Sequence, residues 1–257
     1  MKQCAFCLRP AKMTREHIWS AWIGRLFDDQ EINFYAIGGV TPEDTAHWKS
    51  RSIDAKASVV CEQCNNGWMS DLDAEASITM SNMIRYGSGV SLLPLGIATV
   101  AAFAFKTAVV VDLASSKRPH PFFSHADRKR FATSLSIPRG VQIWLSLFHG
   151  KRLHGRYTRH YSTINTGHYK GFEVYIFTYV VGFLVVQLSA FRWGSIAKPP
   201  RFVPRLWQND IWNPASIPLW PPAGKRVTWF ALQYFDDQSI QAFSERWSHI
   251  AEWVRRN

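Results

Sequence analysis

Four cysteines stand in two Cys-x-x-Cys units, Cys4/Cys7 and Cys61/Cys64, and none is left over in this 257-residue chain. A two-residue gap lets both sulfurs of such a unit face one ion, and two units supply the four soft ligands that tetrahedral zinc takes. A redox dithiol usually comes singly, at the start of a helix after a strand. The spacing therefore predicts one structural Zn²⁺ bound by Cys4, Cys7, Cys61 and Cys64. The 53 residues between the pairs exceed a compact zinc ribbon, so something folded lies in the insert.

Glu16-His17 lies between the pairs, and Asn65 follows the last cysteine directly. Histidine is suited to proton abstraction near neutral pH, while carboxylate and amide oxygens suit a hard divalent ion. Together these are what phosphodiester hydrolysis requires: a base to activate water and a cation to stabilise charge on the scissile phosphate. Taken singly, each has a plainer reading. Glu-His beside a helix is often a cap and a surface imidazole, and Asn65 or Asn66 can cap the helix that follows.

The set Cys4-x-x-Cys7, Glu16-His17-Ile18, and Cys61-x-x-Cys64 followed by Asn65 resembles the zinc-containing HNH (ββα-metal, treble-clef) nucleases. The string from Cys61 to Ser70 is similar to a group of uncharacterised bacterial HNH-like proteins. The resemblance covers about the first third of the chain. It implies His17 as general base, with Glu16 and Asn65 as ligands of a catalytic Mg²⁺ or Mn²⁺. Many family members carry Asp where Glu16 stands. Asp54 and Lys56 occupy the place of a middle Asn, and no His follows on the helix after Asn65.

The elements that must position these residues can be read from periodicity. Trp19–Phe27 predicts a short amphipathic helix, 53–60 a strand, and Trp68, Leu72, Ala76, Met80 and Ile84 one apolar stripe of a helix. Gly87-Ser88-Gly89 then punctuates the chain. Beyond it, helices are expected over 95–114, 126–135 and 239–255, and strands over 141–148, 173–177 and 183–188. The prolines of 199–222 predict an irregular connection pinned by Trp207, Trp212 and Trp220. The expected class is α+β: a zinc-bound treble-clef head over 1–88, and a larger mixed α+β basic domain over 90–257.

Charge separates the same two parts. Residues 1–89 hold nine Lys/Arg and eleven Asp/Glu, whereas 90–257 hold twenty-one and eight. Over 117–170 eleven Lys/Arg face one acid, Asp127. Arg128, Lys129, Arg130, Lys151, Arg152, Arg156 and Arg159, interleaved with Trp144, Phe148, Tyr157, Tyr161 and Tyr169, are candidates to track phosphates and stack on bases. A solvated basic face is the alternative.

The composition excludes a disordered chain, and no apolar leader opens the sequence, so a reducing cytoplasm is expected. Residues 92–113 and 174–191 are apolar, but the first carries Lys106 and the second Gly182 and Gln187. They read as a buried helix and buried strands, with no membrane partner. The expected function is a metal-dependent endonuclease acting on nucleic acid, DNA rather than RNA. The alternatives are a non-catalytic zinc-stabilised nucleic-acid-binding protein and a thiol-based redox or metal switch. Oligomeric state is not written in the sequence.

Overall fold

The computed structural model describes residues 2–27, 34–38, 46–50, 56–114, 121–150, 155–164, 172–193, 215–230 and 233–245, with the backbone path alone for 34–38, 46–50 and 155–164. It is a mixed α+β structure with the four cysteines clustered in its N-terminal part.

That part opens with a tight hairpin, β1 (Lys2–Gln3) against β2 (Pro10–Ala11), and continues into β3 (Met13–His17) and the short helix α1 (Ala21–Arg25). After β4 (Phe34–Gly38) and β5 (Ala46–Ser50), β6 (Lys56–Cys61) pairs antiparallel with β3 to make a two-stranded ribbon. The chain then turns directly into helix: α2 (Glu62–Cys64), a π-helical turn over Asn65–Met69, and α3 (Ser70–Tyr86). The four-residue stripe is buried as its spacing requires, with Leu72, Ala76, Met80 and Ile84 all in the core.

Gly87 ends α3 in the left-handed region, its N–H reaching the Met83 carbonyl at 3.2 Å. β7 (Val90–Leu92) leads into α4 (Pro94–Ala114), a helix long and apolar enough to cross a membrane, here mostly buried inside the protein. Helix α5 (His125–Ser134) starts at a capping box between Ser124 and Asp127. Strands β8 (Val141–Phe148), β9 (Gly155–Ile164), β10 (Phe172–Val181), β11 (Leu184–Trp193) and β12 (Ser216–Trp220) follow. β13 (Val227–Trp229), β14 (Tyr234–Phe235) and α6 (Ser239–Glu245) complete the described elements.

The large sheet has the order β12-β8-β11-β10-β9-β4-β5, with β14 beside β8. Two of its strands, β4 and β5, come from the insert between the cysteine pairs, and β4 runs parallel to β9. Residue 220 closes a sheet strand rather than an irregular connection, while Trp207 and Trp212 lie outside the described residues.

The head and body share one core. A single apolar cluster runs from Phe6 and Trp19 through Met83 to Phe103 and Tyr179. At the turn of the β10–β11 hairpin, a Cβ on Gly182 would meet the Ile84 carbonyl at 2.1 Å, so only glycine lets the sheet approach the end of α3 this closely. The punctuation at 87–89 is thus a helix end with no break in packing behind it.

Candidate functional site

The Cys4–Cys7 unit is a turn closed by two backbone bonds, Leu8 N–H to the Cys4 carbonyl at 3.1 Å and Cys4 N–H to the Arg9 carbonyl at 3.0 Å. Leu8 takes a positive φ of 63° there. The second pair comes from the end of β6 and the first helical turn behind it, so strand, turn and helix converge on one point. The four sulfurs lie within 4.8 Å of one another, and Cys7 Sγ is 3.7 Å from Cys61 Sγ. A tetrahedron with Zn–S bonds of about 2.3 Å has edges of about 3.8 Å. The donor set fits a structural zinc ion.

The thiols are poised for one. Burial pushes Cys4 up, but the backbone N–H groups of Cys61, Phe6 and Cys7 outweigh it and hold the thiol at about 7. Burial pushes both Cys61 and Cys64 up, and the charge on Cys4 raises Cys64 further. Such a group ionises fully only around a cation.

Strand β3 divides Glu16 from His17. Successive residues of a strand point to opposite faces. Glu16 pairs in register with Ala57, and both are buried; His17 pairs with Lys56, and both are half-exposed. On the inner face the Glu16 carboxylate, 4% exposed, lies 3.7 Å from Lys106 Nζ. Lys106 projects from the middle of α4 with 0% exposure, donates to Asp73 Oδ1 at 2.6 Å and Ser20 Oγ at 3.2 Å, and sits 5.0 Å above the Phe103 ring. Burial raises Glu16 above the usual carboxylate range; Lys106 opposes this and Asp73 adds to it.

Asn65 lies in the turn entering α3. Its Nδ2 donates to Thr14 Oγ1 at 3.1 Å, and that hydroxyl donates in turn to the Val60 carbonyl at 3.0 Å. Asn65 therefore ties the helix to the ribbon. The expected catalytic-ion ligands do not form a fitting set: Glu16 is engaged by a resident ammonium inside the protein, and Asn65 by Thr14. Among the described residues the four-cysteine cluster is the one group of three or more His, Cys, Asp or Glu side chains arranged to hold a metal.

The basic candidates also separate. Arg128, expected on phosphate, is 2% exposed: burial draws its guanidinium down while Asp112, Cys4 and Asp127 hold it charged. It is an internal counter-charge and cannot reach a phosphate from there. Lys129 and Arg130 are exposed on the outer side of α5. Trp68 stacks edge-on with Phe6 at 5.2 Å and with Phe131 at 5.5 Å, which fastens α5 beside the cysteine turn. Arg156 and Arg159 occupy positions on β9 opposite Val180 and Phe177, while Lys151 and Arg152 lie outside the described residues. Trp144 and Phe148 are buried, so neither offers a surface for stacking on bases.

Sequence reasoning passed over Lys106 as a partner for the head. A lone lysine inside an apolar helix was the available signal, since a buried ammonium requires a counter-charge. Comparison with family models, with curated proteins and with solved structures finds no match.

Proposed function

We propose that the protein is a zinc-stabilised endonuclease of the HNH type, with His17 as general base on nucleic acid, DNA favoured over RNA. The observation that carries this reading is the order of elements around the cysteines. A Cys-x-x-Cys turn, a β-ribbon, and a helix whose first turn returns the second pair follow one another in the chain, with His17 at the end of the first ribbon strand, and this arrangement supports the reading. In the step, His17 takes a proton from water as the water oxygen bonds to phosphorus. The bond from phosphorus to the leaving sugar oxygen breaks, and that oxygen takes a proton from solvent. Mg²⁺ or Mn²⁺ at Glu16 would require the carboxylate to leave Lys106.

The second reading, a zinc-anchored nucleic-acid-binding protein without catalysis, is favoured by the Glu16–Lys106 pair itself. Incubating the zinc-loaded protein with plasmid DNA and with RNA, with and without Mg²⁺ or Mn²⁺, separates the two. Strand scission lost in His17→Ala supports the nuclease. Binding without scission under every condition supports the second reading.

A further inference from the structure

The head is acidic in total, yet its charges are sorted by position. Residues 2–27 contain five Lys/Arg and one acid, Glu16. That acid is turned inward and neutralised by Lys106, whereas Lys2, Arg9, Lys12, Arg15 and Arg25 are exposed. Within residues 2–27 the exposed charges are therefore all positive, although the head's net charge is not.

The same sorting occurs around His17. Arg15 precedes it by two residues and so shares its face of β3, and Lys56 is its cross-strand partner on β6. Directly opposed residues in an antiparallel pair have Cβ atoms about 5 Å apart, and alternate residues of one strand stand about 7 Å apart. Thr14 to Glu16 spans two steps of β3 while their partners, Val60 and Ala57, are three apart, so β6 bulges opposite Arg15. Bulges of this kind re-aim side chains and are common beside functional sites. The outer face of the ribbon thus carries His17 with Arg15 two residues before it and Lys56 opposite it.

We infer that Arg15 and Lys56 form a phosphate-binding subsite on the outer ribbon face, seating one backbone phosphate of a nucleic acid against His17. The inference rests on the reading of the head as acting on phosphodiesters and supplies its missing charge. A guanidinium fork can engage both non-bridging oxygens, and a flexible ammonium can approach from the other side. It also moves the expected binding surface: the head contributes contacts of its own, in addition to Lys129 and Arg130 on the neighbouring α5.

The test uses the full-length zinc-loaded protein and a fluorescein-labelled 20-base-pair DNA duplex, with binding read by anisotropy separately from strand scission. Arg15→Gln/Lys56→Gln should lower the slope of log affinity against log salt by about two units and weaken binding on the order of tens-fold near 0.15 M salt. Zinc content and melting temperature should stay near wild type. Arg15→Lys/Lys56→Arg, which keeps both charges, should restore most of the slope. Inorganic phosphate should shift the His17 imidazole resonances in wild type and leave them in place in the Gln pair. An unchanged slope, or no response of His17 to phosphate in wild type, overturns the subsite. If wild type binds through these residues but cuts nothing, the nuclease reading fails and the subsite stands; if it cuts with the slope unmoved, the reverse holds.

Discussion

On the inner face of the β3–β6 ribbon Glu16 meets the buried Lys106, with Asp73 and Ser20 on the same ammonium. One residue along, on the outer face, half-exposed His17 lies opposite Lys56 and two residues after Arg15. The two residues form one motif in the sequence and two environments in the fold. The difference teaches that a strand assigns environments by parity: the inward residue joins the head to α4, and the outward one is half-exposed.

The largest effect should come from removing what holds both faces. Chelating zinc, or Cys64→Ser, withdraws a contribution of about 10 kcal/mol and should unfold the ribbon and its entering helix together. Far-ultraviolet circular dichroism during zinc removal checks this; an unchanged spectrum from zinc-free protein would show that packing alone suffices.

Next comes the inner face by itself. Lys106→Met leaves Glu16 buried without its cation, and losing one partner of a buried pair costs about 3–5 kcal/mol. Adding Glu16→Gln to Lys106→Met should recover part of the loss, because the more deeply buried of the two stranded carboxylates is then neutral. Chemical denaturation of the single and double variants measures the difference. Equal stability in both would mean that the pair contributes little.

A smaller contrast sharpens the same lesson on α5. Arg128→Ala removes a buried counter-charge and should destabilise by about 2–3 kcal/mol, while Lys129→Gln/Arg130→Gln should stay within about 0.5 kcal/mol. Binding to a DNA duplex should respond in the opposite order: the exposed pair loses up to about two units of salt slope. Three consecutive basic residues behaving alike would contradict the burial that separates them.

Much of this was legible in the sequence, for identifiable reasons. The cysteine spacing named the metal cluster because each two-residue gap keeps its own pair of sulfurs together. The stripe from Trp68 to Ile84 was readable because one face of its helix is buried, and the strand 141–148 because burial on both faces leaves a short apolar run. The sheet's recruitment of β4, β5 and β9 was not, since pairing between distant strands depends on partners that local periodicity does not reveal. Arg128 was misplaced because a run of three bases looks uniform until helix geometry turns one of them inward. Lys106 was visible as an interruption of an apolar run, but its partners lie 90 and 33 residues earlier in the chain, at Glu16 and Asp73.

The division between the two faces is tested most directly by measuring cleavage rate and unfolding free energy in parallel for His17→Ala and Lys106→Met. His17→Ala should lower cleavage by about 10²–10⁴-fold with stability and zinc content close to wild type. Lys106→Met should lose stability first, and cut at a rate that follows its folded fraction. If His17→Ala cuts as fast as wild type, or loses as much stability as Lys106→Met, the outer face is not the chemical one and the account fails.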